Sequence, residues 1–120
     1  MNKIVGESFE NSKTCHGMAF VADAPLDLAE IVITGRYPED GWAKNRESHE
    51  MVRVLRGVGS LTLRNSEVTG LVEGDVVHVL PGDWFAWDGD MTILIACSPA
   101  SDPEKYEVKM DDQIKKEEAL

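Results

Sequence analysis

Residues 45–57 read "NRESHEMVRVLRG". From Glu50 onward the stretch alternates, with Glu50, Val52 and Val54 on one side of an extended chain and Met51, Arg53 and Leu55 on the other. β-Branched residues at period two predict a half-buried strand, and Gly57 reads as its turn. If the valines face a core, Glu50 faces it too. A carboxylate in that position is costly unless something pairs with it.

The same pattern extends in both directions. Upstream, "LDLAEIVITGRY" (26–37) predicts a long strand, followed by a "PEDG" turn (38–41), and "MAFVA" (18–22) predicts a shorter strand. Residues 1–18 read as irregular apart from one short strand near Ile4-Val5. Downstream, "GSLTLRN" (59–65), "EVTGLVEG" (67–74), "DVVHVLPG" (75–82), "WFAW" (84–87) and "MTILIAC" (91–97) each predict a short strand, and Asn65-Ser66 fall at a hairpin tip. Many short strands at near-even spacing predict an all-β sandwich or barrel. The end, "SPASDPEKYEVKMDDQIKKEEAL" (98–120), is charged, and residues 111–119 form a short surface helix or fray.

Composition narrows the function. A chain of 120 residues fits one domain with one modest core. Net charge is -10, which argues against nucleic acid and anionic membrane surfaces as partners. The charge is uneven. Residues 36–64 hold six basic groups (Arg36, Lys44, Arg46, Arg53, Arg56, Arg64) against four acidic ones, an island that either attracts a small anion or consists of solvated strand-face residues. The opening "MNKIVGESFENSK" lacks the apolar run of a signal peptide, and no apolar run approaches the ~20 residues of a membrane span. Together with two unpaired-looking cysteines, Cys15 and Cys97, this predicts a cytoplasmic protein with reduced thiols. Cys97 reads as a small buried hydrophobe, and Cys15-His16 as a weak soft-metal pair.

"EMVRVLRGVGSLTL" and "LVEGDVVHVLPGDWF" resemble the two signature segments of the cupin superfamily. Glu50 and Gly57 fit the first; Gly74, Asp75, Pro81 and Gly82 frame the second. The resemblance spans roughly residues 28–98 and implies a cupin jelly-roll barrel, a double-stranded β-helix. It divides the chain into an N-terminal arm with the first strands (1–27), the barrel core (28–98) and a tail (99–120) that packs on the barrel or trails from it. The family's paired histidines fall, depending on the gap, on Lys44 and Arg46 or on Ala43 and Asn45, and its last histidine falls on Phe85. Of four expected ligands only Glu50 remains, so the expectation is no metal and no cofactor. The frame turns Val77 and Val79 inward and His78 outward, and His49 faces away from Glu50. The sequence looks like a branch of small conserved-barrel cupins without the histidines, partly similar to the ethanolamine-utilisation cupins. Family resemblance also implies a homodimer.

Within that frame, Glu50 is the one candidate catalytic group. Either Arg46 or Lys44 pairs with it, or it sits hydrated at the barrel mouth. Phe85 and Trp87 share a strand face, and Tyr37 and Trp42 approach from the other side; with Lys44, Asn45 and Arg46 they are the candidate ligand-binding residues. The aromatics either line a small-ligand pocket or plug the barrel. Glu73 and Asp75 flank a turn glycine and serve the turn. No nucleophile elbow, P-loop or C-x-x-C motif is present. Three readings follow. The first is a metal-independent cupin binding a small polar ligand, a sugar or a carboxylate. The second is an isomerase, epimerase or lyase using Glu50 as acid or base. The third is a filled barrel that binds a partner protein through the Arg53/Arg56 stripe.

Overall fold

Two long strands carry the architecture. The structure, a computed structural model, describes residues 1–21 and 25–120. Its elements are β1 (Glu7–Ser12), β2 (Cys15–Val21), β3 (Asp27–Thr34), β4 (Trp42–Asn45), β5 (His49–Leu63), β6 (Val68–Val72), β7 (Val76–Val79), β8 (Phe85–Ser98), β9 (Tyr106–Lys109) and α1 (Asp111–Glu118). All pairings are antiparallel. β5 and β8 lie side by side from His49↔Ser98 to Leu63↔Phe85. The other edge of β5 takes β7 and then β6, and the other edge of β8 takes β3 and then β4. β2 and β1 extend the sheet beyond β3, and β9 extends it beyond β4. The curled antiparallel sheet is an all-β half-barrel, with α1 at its C-terminal end.

Alternation explains the core. The odd residues of β8, from Phe85 and Trp87 through Met91, Ile93 and Ile95 to Cys97, are buried. Glu50, Val52 and Val54 of β5 face Cys97, Ile95 and Ile93 across the ladder. A bulge between Val54 and Arg56 then changes the phase, so that Leu61 faces Trp87 with odd parity. One extra residue thus keeps a strand of 15 residues inward-facing along its length while the sheet bends.

Several expectations change here. Residues 50–57 and 59–65 are not two strands but one, and 84–87 and 91–97 join as well. Gly57 reads as a turn, yet with Gly59 and Gly89 it lies where the two strands nearly touch. A Cβ on Gly89 would lie 2.4 Å from the Gly59 Cα, and one on Gly57 would lie 2.2 Å from the Asp90 carbonyl oxygen. Residues 1–6 are irregular, the expected strand at Ile4-Val5 included, but residues 7–18 are not, because β1 and β2 form a hairpin. The "MAFVA" strand is real and starts earlier, at Cys15; Ala22 lies outside the described residues. Two strands, β4 and β9, had no reading in the sequence. The hairpin tip is as expected, with Asn65 at φ 65.

The C-terminal helix forms and is anchored. Ile114 is buried, and the Arg64 guanidinium from the β5–β6 turn donates to Asp111 at 2.7 Å and to Glu118 at 3.1 Å. Gln113 Oε1 accepts from the Met110 N–H, and Lys109 pairs with Glu117. No helix among the described residues is long and apolar enough to cross a membrane.

The bend predicts two opposite outcomes. Gly89 has φ +126 and no space, so Gly89→Ala should destabilise by about 2–4 kcal/mol. A methyl added at Gly70 would meet nothing within 4 Å, so Gly70→Ala should stay within about 0.5 kcal/mol of the parent. Urea unfolding decides; coincident midpoints for the two variants would disprove the close approach.

Candidate functional site

Inside the barrel is a cavity of about 390 Å³. Its walls come from β1, β2, β3, β5 and β8 together with Tyr37, Asn45 and the segment carrying Ser101, Pro103 and Tyr106. The space exists because small side chains stand where large ones would fill it. Ala19 and Ala29, paired across β2 and β3, stand on the cavity wall. Tyr37, Phe85 and Trp87 line this open pocket and do not plug the barrel. The volume lies within the ~300–1,000 Å³ of small-molecule sites.

One row of the sheet brings titratable groups together. Asp27 on β3 pairs with Cys97 on β8, which pairs with Glu50 on β5, so two carboxylates flank a thiol. Glu50 is 6% exposed and its Oε2 has no hydrogen-bond partner. Burial, and then the charge of Asp27, push its carboxyl from the usual 4.5 up to about 7. Asp27 Oδ2 accepts from the Ser101 N–H at 2.7 Å. The Cys97 thiol is pushed up by burial and by both carboxylates, so it stays protonated. On another wall the Tyr37 and Tyr106 hydroxyls share a hydrogen bond of 2.6 Å, and burial raises both phenols. Asn45 is buried with Oδ1 unpartnered.

The expected site residues therefore separate. Glu50, Tyr37, Asn45, Phe85 and Trp87 share the cavity; Trp42, Lys44 and Arg46 do not. The correction follows from alternation on β4, where Ala43 and Asn45 are buried and the even residues point away. Lys44 reaches Glu107 at 3.4 Å and covers the Trp84 ring at 4.4 Å. Arg46 donates to the Glu104 carbonyl at 2.7 Å and lies 3.8 Å from Glu107. Trp42 lies under Arg36 at 5.0 Å. Of the two sequence readings of Glu50, the cationic partner is not found among the described residues; Glu50 is unpaired at Oε2, and it is buried against the cavity wall. The basic island is mostly engaged with nearby acids and carbonyls, as Arg56 is with Glu30 at 3.7 Å.

Asp27, Cys97, Ser101 and Tyr106 are site residues that the sequence reading missed. Asp27 had a signal, since it shares odd parity with Ala29, Ile31 and Ile33. Tyr106 had none, because β9 reaches the cavity only by pairing with a strand some sixty residues earlier, in the register Asn45↔Tyr106.

The cavity does not suit the family's metal. Phe85 occupies the last histidine position inside it, and the lining supplies no imidazole. His49 and His78 lie on the outer face, with Nδ1 and Nε2 2.9 Å apart, and His16 is also exposed. Among the described residues no three His, Cys, Asp or Glu side chains form a metal-holding group.

No protein-family model and no curated protein matches the chain. Solved structures do. Pac13, described as a unique nucleoside dehydratase, is similar with TM-score 0.80 and 18% identity over 92% of each chain. A variant of Streptomyces PAC13 solved with uridine gives the same score and identity over 92% of this chain and 91% of that one. A cupin-2 domain from Rhodospirillum rubrum gives TM-score 0.67 at 12% identity over 98% of this chain and 82% of its own. Together with the signature frame, these likenesses identify the fold: the chain is a small cupin-type barrel.

Proposed function

We propose that this barrel is an enzyme acting on a small hydroxylated ring ligand, with Glu50 as its general acid–base. The observation that carries the reading is Glu50 itself, buried against an open cavity, unpaired at Oε2 and titrating near neutrality. A purely structural carboxylate at that depth would be paired. The likeness to a nucleoside dehydratase supports loss of water as the reaction class.

The chemistry needs no more than the cavity offers. Ionised Glu50 takes a proton from a ligand carbon. The neighbouring carbon–oxygen bond breaks, a carbon–carbon double bond forms, and protonated Glu50 gives its proton to the departing hydroxyl, which leaves as water. The carboxylate is regenerated. Tyr37 and Tyr106 stay neutral at working pH and can donate to a ligand oxygen that gains charge. Phe85 and Trp87 supply flat apolar surface for the ring.

Turnover can be followed by NMR in D2O, as solvent deuterium uptake or loss of water across a panel of nucleosides and free sugars. Glu50→Gln should lower the rate by about a hundred-fold to ten-thousand-fold while binding persists. Arg46→Ala, outside the cavity, should change it less than about threefold. The rate should rise with pH to a plateau, with its midpoint near 7. Equal losses in the two variants would sink the assignment.

The raised carboxyl also has a cost in stability. The folded value lies above the unfolded one, so the folded state holds the proton more tightly. The contribution is fully present below pH 4.5 and is lost as pH rises to about 7. Glu50→Gln should therefore gain on the parent by about 3 kcal/mol across that interval. Urea midpoints of both proteins at each end measure the gain, and a constant difference would show that Glu50 titrates normally.

A further inference from the structure

The cavity has an electrostatic sign. Sequence reading put Lys44 and Arg46 beside Glu50, which would suit a carboxylate or phosphate ligand. Both side chains instead point outward to Glu107. The charged groups of the described lining are Glu50 and Asp27, with no Lys, Arg or His among them. Residues 22–24, between two wall strands, are Ala, Asp and Ala and add no cation either.

Its unmet hydrogen bonds have a sign too. Glu50 Oε2 and Asn45 Oδ1 are buried acceptors without a donor. A ligand that brings hydroxyl or N–H groups satisfies them. One that brings an anionic oxygen leaves them unsatisfied and sets its charge against carboxylates in a poorly solvated space.

Resting on the function proposed above, we infer that the cavity selects an uncharged, donor-bearing ring ligand, a nucleoside or free sugar, and rejects its phosphorylated or carboxylated counterpart. Repulsion by Glu50 and Asp27 does the rejecting, and the outward turn of Lys44 and Arg46 leaves it uncompensated. This removes the carboxylate from the two ligand classes expected from the sequence.

Calorimetric titration above pH 7, where Glu50 is ionised, with uridine, uridine monophosphate and an O-acetyl uridine separates charge from size, the last adding bulk at the same oxygen without charge. Uridine should bind on the order of tenfold tighter than the monophosphate, or more. The acetyl compound should follow uridine. Glu50→Gln and Asp27→Asn should each narrow the gap severalfold by strengthening monophosphate binding. Monophosphate binding as tight as uridine would overturn the selection and leave the barrel's proposed activity standing. Rejection of the acetyl compound as strong as that of the monophosphate would mean selection by size, and overturns it too. If neither uridine nor free sugars bind at millimolar concentration, both this inference and the function beneath it fail.

Discussion

The pairing of β5 with β8 is the constraint on which the rest of the structure depends. Each is long enough to serve both halves of the barrel, and each has a second strand on its far edge. Past the bulge between Val54 and Arg56 the ladder continues through Gly59 and Gly89, which face each other too closely for a Cβ on either. Side chains there would force the strands apart, and the inward rows on either side would lose register.

That register also creates the site's tension. Strand alternation treats Glu50 and Asp27 as it treats Val52 and Ala29: whatever stands at an inward position is buried. Two carboxylates end up beside one thiol, and neither has a cation within reach among the described residues. Both line an open cavity rather than a closed apolar core. Under the function proposed above, stability and chemistry draw on Glu50 in opposite directions.

Much of this was legible in the sequence, for a definite reason. Period-two alternation and the glycine–proline frame are local, so β3, β7 and the separate halves of β5 and β8 could be read directly, and the cupin frame then placed Phe85 and Trp87 inward. Glycine misled where its role depended on a distant strand: Gly57 looks like a turn until its cross-strand neighbour, Met91, is known. Lys44 and Arg46 misled because proximity in sequence stood in for direction. The phase of β4 rests on Ala43 and Asn45, a small residue and a polar one, and carries almost no hydrophobic signal. Tyr106 was out of reach altogether, since its place depends on β9 finding β4.

The segment holding Ser101, Pro103 and Tyr106 follows every other wall strand in chain order. That wall meets the rest of the barrel through contacts distant in sequence: the β4–β9 ladder, the Ser101–Asp27 bond and the Tyr106–Tyr37 bond. Each closes a loop of about sixty residues or more, which costs more chain entropy than closing a hairpin such as β1–β2 or β5–β6.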